Sequence, residues 1–266
     1  MQILTGMAQD AHTTFFGMHA DSEFGEPLLD WIQAMASDPN PPLVTSISYG
    51  FPELIINPNY VRRFNEEAAK LALRGITIIA SSGDDGVAGP FARQKGVPFC
   101  QQKADADDIA HHYNKYNYNS PAGYNPVFPA SSPWVTAVGA TQGPENGGDE
   151  IACASNTGGV ITSGGGFSTM KQGSASFQTE DVKSYLQKKS VVAGLPTQNR
   201  AYPDVALLGY NYEIVVQGVA TPVSGTSASA PAFAAMVSLV NNARLKAGQS
   251  PGSFERCALP DGSNGL

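Results

Sequence analysis

The sequence predicts an α/β fold in three layers, with a mostly parallel central sheet flanked by helices. Short apolar runs alternate with helical stretches between residues 26 and 81, and the links between them are short. Such alternation favours right-handed βαβ units, in which helices cover both faces of a parallel sheet. With 266 residues, of which 42% are hydrophobic, the chain can bury one sizeable core, so we expect a single domain.

The N-terminal elements supply the first part of this prediction. Residues 1–6 are typical of the end of a helix, and residues 13–18 form a short β-rich run. Residues 26–35 have Pro27 just inside their start and apolar side chains on one stripe, which predicts an amphipathic helix. Residues 43–49 then predict a buried strand.

A second helix and strand complete the repeat. Residues 59–74 place apolar side chains on one stripe and charges opposite, and Gly75 predicts the end of that helix. The apolar run 76–81 predicts a central strand. Active sites in parallel sheets lie beyond the carboxyl ends of the strands, and residues 82–86 occupy that place.

The remaining chain is less regular. Residues 87–127 are polar and rich in Asn and Tyr, which indicates a surface insertion, and its Asp and His residues fit no metal-binding motif. Residues 128–141 predict a turn leading into a buried strand. The other expected segments are a loop at 142–162, a surface helix at 178–189, a strand at 212–216, a buried helix after Pro231 and an irregular tail after Gly248.

Composition limits the function classes. The net charge of −7 and the isoelectric point near 5.0 argue against a nucleic-acid partner or an anionic membrane surface. No apolar run reaches the length of a membrane span, and no signal peptide follows Met1. The three cysteines lie far apart and form no CxxC pair, so neither a zinc site nor a disulfide-dense scaffold is expected; they are Cys100, Cys153 and Cys257. One disulfide with one free thiol is compatible with their spacing.

Residues 223–231 form the element with the clearest chemical character. Small residues surround Ser227 and lead into an apolar helix, so that Ser227 would lie among unpaired N–H groups at the positive end of the helix dipole. Gly225 allows backbone or substrate to approach closely, and Pro231 suits a first helical turn. We interpret Ser227 as a candidate nucleophile; the alternative is a Ser/Thr-rich helix cap.

A glycine run provides a candidate substrate-binding segment. Ser163, Gly164, Gly165 and Gly166 expose backbone donors and acceptors, with which a peptide could pair as an added strand. The alternative is a flexible turn.

Several blocks in a constant order resemble the sedolisins, the serine-carboxyl peptidases. The blocks are Val44–Gly50, Ala80–Asp84, Phe128–Pro133, Ser163–Ser168, Arg200–Val205 and Gly225–Pro231. The resemblance implies a subtilisin-like fold and a serine peptidase in which Ser227 is the nucleophile and the Asp84 carboxyl contributes to the oxyanion hole. An ordinary subtilisin would instead need a histidine base, and none of the four histidines, which are His12, His19, His111 and His112, lies in the expected context.

The resemblance also implies what this chain lacks. Sedolisins use a glutamate base with an aspartate four residues later, and that helical turn would precede Met1. Glu26 and Asp30 have the same spacing but match a helix whose acids are not catalytic. The family's calcium site has no counterpart before Leu266, so no metal or other cofactor is expected. We therefore interpret residues 1–266 as an incomplete sedolisin catalytic domain, cut at both ends.

The expected function is acid-active hydrolysis of peptide bonds, with tripeptidyl-peptidase-like activity. The alternative is a catalytically impaired fragment or pseudoenzyme without the general base. The expected partner is a peptide or polypeptide substrate, with no nucleic acid and no membrane. By resemblance the protein would be a monomer in a lysosomal, vacuolar or secreted setting, with the family's propeptide absent from this chain.

Overall fold

The computed structural model describes residues 1–18, 27–89, 124–170, 172–188 and 195–252. The helices are α1 (Gln2–Met7), α2 (Pro27–Ser37), α3 (Pro58–Leu73), α4 (Thr179–Leu186) and α5 (Thr226–Lys246). The strands are β1 (Val44–Ile47), β2 (Phe51–Pro52), β3 (Thr77–Ser81), β4 (Val127–Phe128), β5 (Thr136–Gln142), β6 (Ile151–Ala152), β7 (Gly166–Phe167), β8 (Ala201–Tyr202), β9 (Val205–Leu208), β10 (Tyr212–Val216) and β11 (Val219–Val223).

Four parallel strands form the centre of the sheet, in the order β1, β3, β5 and β9. The short strand β6 pairs antiparallel with the end of β5. Every residue of β3 is buried, whereas β1 at the margin is only half-buried. The mostly parallel sheet predicted from the βαβ alternation is therefore confirmed.

Helices cover both faces of this sheet. Successive residues of a strand point to opposite faces, and β3 shows the consequence. Ile78 joins the cluster formed with α2 and α3, which includes Phe64. Ile79 joins a second cluster on the other face, where Ala230 and Ala234 of α5 pack. This is the three-layer arrangement expected from the sequence.

Helix α3 shows why the sequence folds as predicted at this point. The Asn57 side chain caps its start by accepting a hydrogen bond of 2.9 Å from the N–H of Asn59, and Pro58 fits the first turn. Gly75, just after the helix, has a φ of +82°, which favours glycine. The apolar stripe predicted from its spacing is the buried face.

Several expectations need correction. Residues 13–18 form no strand: Phe15 and Phe16 are exposed, and a β-rich run without a partner strand cannot be stabilised. Residues 142–162 are not only loop, since they contain β6. Strands β9 and β11 were not expected from the sequence. Of the expected insertion, residues 90–123 lie outside the described residues.

Membrane-spanning helices and clusters of metal-binding side chains would each indicate a function class. None of the helices in the described ranges is both long and apolar enough to cross a bilayer. The same ranges contain no group of three or more His, Cys, Asp and Glu side chains that could hold a metal ion. Cys153 is a buried free thiol, and Cys100 and Cys257 lie outside the described residues.

Candidate active site

The first turn of α5 meets the loop that follows β3. One oxygen of the Asp84 carboxylate, Oδ1, accepts hydrogen bonds from the Thr226 N–H at 2.8 Å and from the Thr226 hydroxyl at 2.9 Å. The Gly83 N–H donates to the same hydroxyl at 3.1 Å. Asp84 and Ser227 are the two candidate catalytic residues. The structure thus brings Asp84 against Thr226, which directly precedes Ser227.

The second oxygen of Asp84 is in a different environment. A Cβ atom at position 225 would lie only 3.2 Å from Oδ2, and Gly225 has a φ of +155°. The Gly225 N–H donates to the Gly209 carbonyl at 2.7 Å, which fixes this close approach. A glycine at 225 therefore leaves room beside Oδ2, while Oδ1 is held by Thr226.

Ser227 is the second residue of α5 and the exposed residue of its first turn. Thr226 and Ala228 on either side of it are buried. Its position near the N-terminus places the hydroxyl in the favourable field of the helix dipole for a developing negative charge. Among the described residues, the structure records no hydrogen-bond partner for this hydroxyl.

The position of Pro231 corrects one expectation. Because α5 begins at Thr226, Pro231 is the sixth helical residue and lies inside the helix rather than in its first turn. A proline there has no N–H for the carbonyl four residues earlier, which is that of Ser227. The Ser48 hydroxyl donates to that carbonyl at 3.0 Å.

The loop after β1 forms one side of the site. Ser48 and Tyr49 are exposed, and the Tyr49 ring packs edge-on against Phe51 with 5.1 Å between centroids. Gly50 lies so close to β4 that a Cβ atom there would be 2.6 Å from the Val127 side chain. The backbone of this loop is therefore fixed beside Ser227.

The glycine segment forms the opposite side, and its first two residues are anchored. The Ser163 hydroxyl accepts a hydrogen bond from the Ala140 N–H at 2.9 Å, so it stabilises β5. The Gly164 N–H donates to the Gly83 carbonyl at 2.7 Å, and a Cβ atom at 164 would overlap the Ser82 carbonyl oxygen. These contacts hold the segment against the loop that carries Asp84.

The last two residues of this segment present the backbone that was expected to bind substrate. Gly166 pairs with Tyr202 in the β7–β8 ladder, and a Cβ atom there would lie 3.3 Å from the Tyr124 ring. Gly165, by contrast, has no backbone hydrogen-bond partner recorded among the described residues.

A buried carboxylate that sequence reasoning missed connects these walls. Glu53 is fully buried and accepts hydrogen bonds from the hydroxyls of Ser131 at 2.5 Å and Ser168 at 2.7 Å. It also accepts from the N–H and hydroxyl of Thr169, both at 2.7 Å. Burial raises the pKa of Glu53, although these hydrogen bonds act in the opposite direction. The one available sequence signal was an acid beside the apolar run 54–56.

A buried guanidinium group supports the same region from behind. The Arg200 guanidinium is fully buried and forms an ion pair with Asp204 at 2.5 Å. It also donates to the carbonyls of Ser132 and Val135, both at 3.1 Å. The loops before β5 and after β8 are therefore fixed to each other.

The fold and the exposed serine at a helix N-terminus are features of a class of serine hydrolases, and comparison with known proteins identifies the family. The profile of the subtilase family matches residues 1–251. The chain belongs to the subtilase family.

Two relatives of the chain are both tripeptidyl-peptidases. The chain is 33% identical to tripeptidyl-peptidase 1 of Dictyostelium discoideum over 256 residues, which are 94% of this chain and 36% of that protein. It is 32% identical to tripeptidyl-peptidase 1 of Bos taurus over 260 residues, covering 96% of this chain and 40% of that protein. The chain thus spans less than half the length of these relatives.

A solved structure gives the same result for the fold. Pseudomonas sedolisin, a serine-carboxyl proteinase solved in complex with two molecules of pseudo-iodotyrostatin, superposes with a TM-score of 0.65 at 23% identity. The superposition covers 96% of this chain and 63% of sedolisin. The sedolisin resemblance and the subtilisin-like fold expected from the motifs are therefore confirmed.

Proposed function

We propose that the protein is a serine-carboxyl peptidase in which Ser227 attacks the scissile carbonyl. The observation that carries this proposal is the contact of Asp84 with Thr226, which brings a carboxyl group to the helix N-terminus that displays the exposed Ser227. The Ser227 oxygen forms a bond to the carbonyl carbon as its proton passes to a base. The tetrahedral intermediate then expels the amine, which takes up the proton, and water hydrolyses the acyl-enzyme.

In this proposal Asp84 acts in its protonated form. Oδ1 is occupied by two donors from Thr226, so the proton would lie on Oδ2, where Gly225 leaves space. A neutral carboxyl group can donate a hydrogen bond to an oxyanion that develops in the transition state. The proposal includes activity at acidic pH, as the resemblance to serine-carboxyl peptidases implies.

The substrate is proposed to bind between the two walls of the site. The free backbone N–H and C=O of Gly165 can pair with an extended peptide, while Ser48–Gly50 lies on the other side of Ser227. The relatives' names support release of tripeptides as the specific activity. We further propose that the protein is a monomer in a lysosomal, vacuolar or secreted setting.

The proton acceptor for Ser227 is assigned by resemblance alone. Among the described residues no carboxylate or histidine is recorded as a hydrogen-bond partner of the Ser227 hydroxyl. We propose a glutamate on a helical turn ahead of α1, in a form of the protein that carries that turn. Helix α1 already packs against α5, which supports this placement.

A peptidyl diphenyl phosphonate, which phosphonylates reactive serines, tests the proposal at pH 4. We would treat the chain of 266 residues and a form extended ahead of Met1, then locate the adduct by mass spectrometry. The adduct is expected on Ser227. It should disappear in Ser227→Ala and persist in the control Ser238→Ala, because the Ser238 hydroxyl only bonds to the Ala234 carbonyl of its own helix.

The role of Asp84 has its own expected result. Asp84→Ala, which removes the carboxyl group, is expected to slow labelling of Ser227 about 100-fold or more, as loss of an oxyanion donor does. An adduct on another serine, or equal labelling of the Asp84→Ala variant, would refute the assignment. Absence of any adduct in both forms would favour the catalytically impaired alternative.

A further inference from the structure

The chain contains a defect in the hydrogen bonding of α5 at the residue proposed to react. In an α-helix each N–H bonds to the carbonyl four residues earlier. Pro231 has no N–H, so it cannot supply the bond to the Ser227 carbonyl. An unpaired carbonyl weakens the local helix and lets its turn deform, as proline does in helix interiors.

A side chain from a distant part of the chain compensates for this defect. The Ser48 hydroxyl, at the end of β1, donates to the Ser227 carbonyl at 3.0 Å across 179 positions of sequence. This donor takes the place of the missing N–H. It also links α5 directly to the first strand of the sheet.

The neighbours of Ser227 show why this link matters for the serine. Thr226 is fixed by Asp84 and Gly83, and the Ser229 hydroxyl donates to the carbonyls of Leu207 and Leu208, each at 3.2 Å. The side chain of Ser227 has no comparable anchor among the described residues. Its backbone carbonyl is held instead, because it accepts the hydrogen bond from Ser48, a residue distant in the sequence.

We propose that Ser48 is a positioning residue that fixes the first turn of α5, and with it the direction of the Ser227 hydroxyl, by replacing the hydrogen bond that Pro231 removes. The inference rests on the proposed function insofar as it concerns the reaction of Ser227. The structural part, compensation between Ser48 and Pro231, does not depend on activity.

A double-mutant cycle tests both parts. The proteins are the wild type, Ser48→Ala, Pro231→Ala and the double variant, with Ser48→Thr as the matched control that keeps a hydroxyl. An alanine at 231 restores the backbone N–H, so the Ser227 carbonyl regains a partner within the helix. The limiting rate of phosphonate labelling at Ser227 and the urea midpoint of unfolding are measured for each.

Ser48→Ala is expected to lower the limiting labelling rate about fivefold, the factor that corresponds to one neutral hydrogen bond. The reagent concentration that gives half of this rate should change less than the rate itself, because the Ser48 hydroxyl is engaged with the Ser227 carbonyl. With Pro231→Ala the same substitution should cost less than about twofold, and Ser48→Thr should retain most of the rate.

Other outcomes separate this inference from the proposed function. Equal effects of Ser48→Ala in both backgrounds, or failure of Ser48→Thr to restore the rate, would overturn the positioning role. If neither the chain of 266 residues nor the form extended ahead of Met1 is labelled, the proposed function fails. The urea midpoints then still report the compensation, since Ser48→Ala should lower the midpoint with proline at 231 and leave it unchanged with alanine there.

Discussion

Thr226 controls where the Asp84 carboxylate lies. Its hydroxyl donates to Asp84 Oδ1 and accepts from the Gly83 N–H, so it serves two hydrogen bonds at once. Thr226→Val keeps the shape but removes both, and it should lower the labelling rate of Ser227 about tenfold and destabilise the fold by about 1–3 kcal/mol. Phosphonate labelling and urea unfolding measure these two effects.

Thr226→Ser is the matched control because it keeps the hydroxyl. It should stay within about twofold of the wild-type labelling rate. If the valine and serine variants behave alike, the hydroxyl has no part in positioning Asp84.

Gly164 is a position at which an added methyl group should strongly destabilise the fold. A Cβ atom there would overlap the Ser82 carbonyl, which directly precedes Gly83 and Asp84. Gly164→Ala must therefore push the glycine segment away from Asp84, with a cost of about 1–3 kcal/mol or more. Thermal unfolding measures the cost, and peptide hydrolysis should fall with it.

Gly148→Ala provides the comparison for that substitution. The nearest atom to a Cβ at 148 is the Gly143 carbonyl oxygen at 3.4 Å, an ordinary contact. This variant should melt within about 2 °C of the wild type, because it introduces no overlap. A similar loss of thermal stability in Gly148→Ala and Gly164→Ala would mean that the overlap with the Ser82 carbonyl does not cause the destabilisation.

At the scale of the elements, Glu53 joins the loop after β2 to the residues after β7. Its pKa is raised from 4.5 because burial penalises the charged form, so the folded state retains a proton that the unfolded chain releases. The stability that this proton confers is fully present below pH 4.5 and is lost as the pH rises through the pKa of the folded state. Folding should therefore be favoured in acid.

Comparison with Glu53→Gln isolates this effect. Glutamine does not titrate, and burial raises the pKa of the nearby Tyr202, so its hydroxyl stays neutral between pH 4 and 7. The unfolding free energy of the wild type relative to the variant should fall by up to about 1.4 kcal/mol per pH unit above 4.5. If the difference in unfolding free energy between the two proteins is the same at pH 4 and at pH 7, this expectation is contradicted.

The elements that sequence could predict are those with a strong local pattern. Helix α3 has a clear stripe and end signals, and β3 is a continuous apolar run, so both were expected close to their observed bounds. Strand β9 was missed because four apolar residues after a proline indicate no particular element. Residues 13–18 were wrongly expected to form a strand, since a local pattern does not reveal whether a partner exists.

The candidate site was predictable to a similar extent. The motifs pointed to Ser227 and Asp84, and the structure brings Asp84 against Thr226, the residue directly before Ser227. The contacts of Thr226 and Ser48 could not be predicted, because they join positions 142 and 179 residues apart. The place of Pro231 depended on where α5 begins, which sequence reading fixes only within a few residues.

For the whole molecule, the site is built from segments that only the complete sheet brings together. Ser48 follows β1, Asp84 follows β3, and Ser227 begins the helix that covers one face of both strands. The labelling competence of Ser227 should therefore disappear at the same urea concentration as the far-UV circular dichroism signal, as in a two-state transition. Loss of labelling at a clearly lower concentration would show that the site opens separately from the sheet.

Gln2 of α1 has an unusual relation to the β10–β11 hairpin. Its side-chain amide accepts from the Val215 N–H and donates to the Val215 carbonyl, both at 2.8 Å, as a neighbouring strand would. Val215, Val216 and Val219 are exposed there, and open strand edges with apolar side chains are sites of self-association. By occupying the backbone groups at the margin of β10, Gln2 leaves the Val215 N–H and carbonyl unavailable for pairing with a strand of another molecule.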